Sequence, residues 1–216
     1  LRAQGYAPAL LAVTGTNGKT TVTSLTRHLV EAGGHRVRAA GNISPAALTS
    51  LKNALDQDDL PEVWVLELSS FQLEATTTLA PDAATVLNVT QDHLDWHGSM
   101  QAYAAAKARL LKMARIAVVN RDDLLVRDMV RDMADEQVRS FGIDAPALAG
   151  DFGLLNQQGL AWLAAAPEVE VDPTAQTPAR RRRAAREEAP ARRSVVPAQA
   201  LMPAEALRIQ GTHNAL

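Results

Sequence analysis

Leu10-Leu11-Ala12-Val13-Thr14-Gly15-Thr16-Asn17-Gly18-Lys19-Thr20-Thr21 is the stretch whose reading decides the fold. Its apolar first half reads as a buried strand, its middle as a glycine-bearing turn, and its Lys-Thr-Thr end as the opening of a helix. Strand, turn and helix in that order bind polyphosphate. Backbone N–H groups of the turn and the helix N-terminus point at the anion, and Lys19 adds a full positive charge. Thr20 is placed to give its hydroxyl to Mg²⁺. The usual pattern is G-x-x-x-x-G-K-[ST], and Val13 stands where its first glycine belongs. With Gly15 so near Gly18, a shorter and differently shaped loop is expected. Taken by itself, the stretch is also compatible with a plain strand-to-helix turn carrying a surface lysine.

The 216 residues suffice for one well-buried core with a small appendage, and 47% hydrophobic with 21% charged residues is ordinary for a globular chain. No apolar run is long enough to cross a bilayer. The start, Leu1-Arg2-Ala3-Gln4, has neither methionine nor a secretory pattern and reads as the inside of a longer chain. Without cysteine there are no disulfides or thiolate metal sites, which fits a reducing compartment; a cytoplasmic protein is expected. The net charge of −2 hides an asymmetry: residues 180–193 hold seven arginines and two glutamates. Outside that run the chain has 15 basic and 22 acidic residues, a net −7. A nucleic-acid binder spreads basic charge over a folded face, so no nucleic-acid partner is expected.

Outward from the opening stretch, Val22, Leu25 and Leu29 give a helix with one apolar stripe, closed by Gly33-Gly34. His28, inside it, is given no role. Val37–Ala40 reads as a strand, and Ser44-Pro45 as an N-cap followed by proline in the first turn of a helix striped by Leu48, Leu51 and Leu55. Val63–Leu66 is a strand running into Glu67, and Ala84–Val89 is another. Ser99 caps a helix holding Tyr103, Lys107, Leu110 and Leu111. Strand 116–119, helix 122–133 and strand 138–141 follow. Strands alternating with helices imply an α/β fold with a mostly parallel, P-loop-type sheet flanked by helices. Residues 152–163 read as a β-hairpin, and 164–197, rich in Ala, Pro and Arg, as a disordered or weakly ordered surface insertion. Order is expected to return at Ala206.

Sites in such folds gather beyond the carboxyl ends of the strands. Lys19, Thr20, Glu67 and His93 all fall there: an ammonium, a hydroxyl, a carboxylate and an imidazole, a set that suits Mg²⁺-nucleotide chemistry. An ionised Glu67 at the end of an apolar strand is costly unless it meets a cation. The alternatives are a salt bridge or helix-cap contact for Glu67, and for His93 a loop histidine bonded to backbone. Lys107, on periodicity alone, is a solvent-facing helix lysine.

Five segments in order, Gly15–Thr21, Gly41-Asn42-Ile43, Glu67–Glu74, Asn88–Asp95 and Gly211-Thr212-His213-Asn214, together resemble the central ATPase domain of the Mur ligases. The resemblance covers residues 10–150 and resumes near 205. The block Glu67-Leu68-Ser69-Ser70-Phe71-Gln72-Leu73-Glu74 implies the member of that family joining D-glutamate to UDP-N-acetylmuramoyl-L-alanine through an acyl phosphate. Residue by residue, it implies that Gly15, Thr16, Asn17, Gly18, Lys19, Thr20 and Thr21 cradle ATP. Thr20 and Glu67 would hold one Mg²⁺ and His93 a second. Asn42 and Ser69 would touch the UDP-muramoyl substrate, and Asn214 the nucleotide. Lys107 matches the family lysine that CO₂ carbamylates, adding a ligand to the metal site. The resemblance makes residues 1–216 a central domain, expected to be monomeric, with UDP-binding and amino-acid-binding domains lying outside it. These residues alone are then expected to bind Mg-ATP weakly and to lack turnover. A folylpolyglutamate synthetase-like ligase is the nearest alternative, and a nucleotide-binding module without chemistry the other.

The composition of 164–197 generates one prediction: trypsin should cut the native protein first between Arg180 and Arg193. Protection of that run would mean that it is ordered.

Overall fold

The computed structural model describes residues 5–168 and 193–207. Asn214 and the run Arg180–Arg192 lie outside the described residues. The chain divides into two compact units, Leu1–Met133 and Ala134–Leu216.

In the first unit, strands β1 (Ala9–Thr14), β2 (Val37–Gly41), β3 (Val63–Glu67), β4 (Ala83–Val86) and β5 (Ile116–Asn120) form a wholly parallel sheet of order β2-β3-β1-β4-β5. Helices α1 (Lys19–Ala32), α2 (Ala47–Asp56), α3 (Ser70–Ala75), α4 (Leu94–His97), α5 (Met100–Met113) and α6 (Leu124–Asp128) connect them. Both sheet faces carry apolar side chains, and Val65, Val86, Leu73, Leu110, Leu111 and Ala117 are fully buried. The order matters for function. From β1 the chain runs outward past β3 to β2, and from β3 it returns across β1 to β4. The carboxyl ends of β1, β3 and β4 therefore meet at the reversal, where an open α/β sheet leaves a crevice.

Several local expectations are corrected. The apolar stripes are only partly covered: Leu25, Leu29, Leu48 and Leu55 are exposed and Val22 and Leu51 half-buried, while Thr23, Ser50 and Ala54 are buried. Small side chains thus take the most buried positions of α1 and α2. Ser44 is no N-cap. The Ser44–Pro45 bond is cis, and α2 starts at Ala47 because the carbonyl of Pro45 turns back to accept from the Gly41 N–H. Strand β4 ends at Val86 rather than Val89, since residues 87–90 leave the sheet to wrap the glycine turn. Helix α6 is five residues long instead of spanning 122–133, and Asp123 is its N-cap, accepting from the Leu125 and Val126 N–H groups. Ser99 caps α5 as the sequence reading has it, its hydroxyl accepting from the Ala102 N–H.

In the second unit β6 (Val138–Phe141) pairs parallel with β7 (Phe152–Gln157), which forms an antiparallel hairpin with β8 (Leu160–Ala165). Gln158 and Gly159 make its two-residue turn, both at positive φ, as tight hairpins require. Strand β9 (Gln199–Pro203), antiparallel to β8, was not expected from the sequence, which placed the return of order at Ala206. The described ends of 164–197 are likewise built into the fold. Ala164 and Ala165 belong to β8, and Val195 bridges Leu148. Arg193 is almost fully buried, donating to Asp151 Oδ1 at 2.5 Å and to the Ala149 carbonyl at 3.2 Å, while its own N–H is held by Asp135 Oδ2 at 2.7 Å. Asp151 Oδ1 also accepts from the Ser140 N–H at 2.7 Å.

Removing one member of a buried pair leaves the other charged and unanswered. Arg193→Ala should therefore cost the second unit about 3 kcal/mol in denaturant unfolding. A loss below about 1 kcal/mol, the size of an exposed pair, would contradict the placement of Arg193.

Candidate functional site

The glycine turn runs over the carboxyl end of β1. Gly18, at φ 80°, is the N-cap of α1 and offers no side-chain cap, so the first-turn N–H groups of the helix are left for an anion. Lys19 folds back over the turn, its Nζ donating to the Gly15 carbonyl at 3.1 Å and the Thr16 carbonyl at 2.9 Å. Thr20, one residue on, points its hydroxyl at the end of β3 and donates to Glu67 Oε2 at 2.9 Å.

Glu67 is 2% exposed. Its second oxygen, Oε1, accepts from Asn42 Nδ2 at 3.1 Å, and its backbone carbonyl accepts from the Asn42 N–H at 2.8 Å. Gly41 makes that approach possible. It sits at φ 122°, and a Cβ there would lie 2.2 Å from the Glu67 carbonyl oxygen. The sequence reading places Glu67 at a magnesium–nucleotide site, with a salt bridge or a helix-cap contact as the alternative. The structure surrounds it with uncharged donors, leaving an acid ready for a cation.

Lys107 is not solvent-facing. It is 1% exposed, donates to the Gly15 carbonyl at 2.9 Å and stands 4.5 Å above the Tyr103 ring. Two lysine ammoniums, Lys19 and Lys107, thus share one carbonyl oxygen. Burial, and then the charge of Lys19, pull the Lys107 pKa down from 10.5 to about 8, with Asp92 opposing. The Tyr103 hydroxyl lies 3.2 Å from Thr16 Oγ1, which also donates to the Thr90 carbonyl at 3.3 Å. Burial raises the Tyr103 pKa, against that hydrogen bond.

His93 stands at the same rim in the left-handed conformation, φ 51°, which histidine tolerates better than most side chains. Its Nε2 is 3.4 Å from Asp92 Oδ2, and its ring is 4.9 Å from Phe71 and 6.2 Å from Tyr103. Ser69 is the N-cap of α3 in a capping box, accepting from the Gln72 N–H and donating to Gln72 Oε1. Behind it, His97 is buried, with Nε2 3.0 Å from Ser70 Oγ and Nδ1 3.3 Å from Glu74 Oε1.

The structure therefore joins Thr20, Asn42 and Glu67 by direct hydrogen bonds, and Lys19 and Lys107 through one shared carbonyl, the two sets meeting where Thr20 follows Lys19 in the chain. His93 joins them through Tyr103. Sequence reasoning missed Tyr103 as a site residue, although its place four residues before Lys107 on one helix face could have found it. Among the described residues no three His, Asp or Glu side chains converge as a ready-made metal cage. A cation here would draw ligands from the nucleotide as well, which is the habit of Mg²⁺. A buried carboxylate hydrogen-bonded to a threonine hydroxyl is a donor set that fits it.

Comparison with known proteins bears on this geometry. A family model described as the Mur ligase middle domain matches residues 13–171. The UDP-N-acetylmuramoylalanine–D-glutamate ligase of Bordetella pertussis is 64% identical over 211 residues, covering 98% of this chain and 41% of that protein. Its counterpart in Burkholderia thailandensis is 50% identical over 218 residues, covering 100% and 42%. The chain thus spans about two fifths of the length of the curated relatives it matches. Among solved structures, UDP-N-acetylmuramoyl-L-alanyl-D-glutamate–2,6-diaminopimelate ligase superposes with a TM-score of 0.59 at 28% identity, over 77% of this chain and 39% of that one.

The lysine environment generates a pH prediction. With a folded pKa of about 8 against 10.5 unfolded, the penalty for burying the ammonium is complete below pH 8 and fades as pH rises to 10.5. Across that window the unfolded chain binds more protons, so Lys107 makes stability rise with pH. Urea unfolding from pH 7 to pH 10 should show wild-type protein gaining on Lys107→Met. Parallel curves would contradict the buried lysine.

Proposed function

The chain belongs to the Mur ligase middle-domain family, and we propose that it is the ATP-binding domain of the ligase that joins D-glutamate to UDP-N-acetylmuramoyl-L-alanine in peptidoglycan precursor synthesis. The observation that carries this reading is the Lys19 turn lying beside a buried Glu67 that accepts from Thr20 and Asn42, with Lys107 behind it. The names of the curated relatives support the choice of substrates.

In this reading the first-turn N–H groups of α1 receive the phosphates of ATP, and Lys19 moves from its own turn's carbonyls to the β- and γ-phosphates. Thr20 and Glu67 would hold Mg²⁺. When bound, Mg²⁺ spreads phosphate charge and lets an anionic acceptor come close. Asn42 orients the Glu67 carboxylate and, with Ser69, faces the muramoyl substrate. The substrate carboxylate attacks the γ-phosphorus, ADP leaves, and an acyl phosphate remains. The amine of D-glutamate then attacks the acyl carbon, loses a proton and expels phosphate. Asn214 completes the nucleotide contacts.

Lys107 has a second duty. Only a neutral amine adds to CO₂, forming an N–C bond with loss of a proton, and a pKa of about 8 keeps a useful fraction neutral near physiological pH. The carbamate so formed is an anionic oxygen donor on the Tyr103 side of the pocket. With His93 it would hold a second Mg²⁺. The whole enzyme is read as a cytoplasmic monomer in which flanking domains take the UDP group and D-glutamate, with residues 1–216 as the centre.

Lys19→Ala in the full-length protein tests the phosphate assignment. ATP-dependent turnover should fall about a thousandfold or more, with circular dichroism and melting temperature unchanged. Unchanged turnover would discard it.

A further inference from the structure

We propose that Asn88 is a positioning residue that decides which backbone N–H groups of the glycine turn face the phosphates. The proposal rests on the nucleotide reading above and deepens it. Asn88 follows β4 and docks its side-chain amide against the turn as if it were a peptide group of a neighbouring strand. Its Oδ1 accepts from the Thr16 N–H at 3.1 Å and the Asn17 N–H at 2.8 Å, and its Nδ2 donates to the Asn17 carbonyl at 3.1 Å. The Asn88 backbone carbonyl also accepts from the Thr16 N–H, at 3.0 Å.

Two consequences follow from that docking. The N–H groups of Thr16 and Asn17 are directed to Asn88 rather than to an anion, while those opening α1, which has no side-chain cap, remain for it. The turn is also gripped from two sides. Lys19 and Lys107 hold the Gly15 carbonyl, while Asn88 holds the N–H groups of the next two residues. A loop with Val13 in place of the usual first glycine thus takes its shape from a side chain just past the end of another strand. The amide suits the task because it accepts and donates while carrying no charge. A carboxylate there would accept from both N–H groups, but it would face the Asn17 carbonyl with no hydrogen and set a negative charge beside the phosphates.

The experiment uses Asn88→Ala and Asn88→Asp in the full-length protein. Amide hydrogen exchange is followed without nucleotide, and Mg-ATP binding is titrated at low and high salt. In Asn88→Ala the Asn17 amide should lose about tenfold or more in protection while the α1 amides keep theirs, and Mg-ATP affinity should fall about tenfold. KM for ATP should rise by more than kcat falls. Asn88→Asp should bind more weakly than Asn88→Ala at low salt, with the gap closing at high salt as charge is screened. Unchanged exchange at Asn17 overturns the docking. Lost protection with wild-type affinity overturns the role in nucleotide binding and leaves the proposed function standing. Failure of wild-type protein to bind Mg-ATP instead removes the proposed function, and the nucleotide role of Asn88 with it. Should the alanine variant not fold, the near-isosteric aspartate decides, since wild-type affinity at low salt would overturn the proposal.

Discussion

A carboxylate buried at the end of a parallel strand sets the terms for the rest of this site. Glu67 continues the apolar run of β3 into the crevice, where an unanswered charge is expensive. Its partners are a threonine hydroxyl and an asparagine amide, which satisfy its lone pairs without neutralising it. Each partner comes from a different connection: Thr20 from the start of α1, and Asn42 from the loop after β2, brought in by a glycine that lets its backbone touch that of Glu67. The strand order puts those three ends side by side.

Opposite this acid the fold gathers positive charge. Lys19 and Lys107 both donate to the Gly15 carbonyl, an arrangement in which each ammonium opposes the other. Burial weakens the ammonium form of Lys107, whose pKa is pulled down to about 8. Tyr103 braces the cationic side, its ring beneath Lys107 and its hydroxyl on Thr16. A buried acid and two closely set cations at the ends of neighbouring strands suit a ligand that brings both a polyphosphate and a metal ion.

Much of this was legible in the sequence, and the reasons for the failures are physical. The alternation of apolar runs and helical patterns gave the parallel sheet, and that topology alone implied that Lys19, Thr20, Glu67 and His93 share a rim. Periodicity misled in α1 and α2: Leu25, Leu29 and Leu48 look like a core stripe, yet the most buried positions go to Thr23, Ser50 and Ala54. It misled again at Lys107, because nothing in helical spacing distinguishes a lysine beside solvent from one beneath a phosphate loop. That role came from family resemblance, and its burial came from the structure. Strand β9 follows a compositionally biased stretch and pairs with a hairpin distant in sequence, which local patterns do not register. The docking of Asn88 was invisible for a similar reason. It depends on where β4 stops, and strand ends are set by what the chain packs against next.

The central claim is that Lys19, Thr20, Glu67 and Lys107 enclose a magnesium–nucleotide site. A crystal structure of the full-length protein with Mg²⁺ and a non-hydrolysable ATP analogue tests it most directly. Phosphates are expected at the start of α1, with Lys19 drawn off the Gly15 and Thr16 carbonyls onto them and Mg²⁺ coordinated by Thr20 with Glu67 at its side. A nucleotide bound elsewhere, or one bound here with Lys19 and Glu67 still in their present contacts, would contradict it.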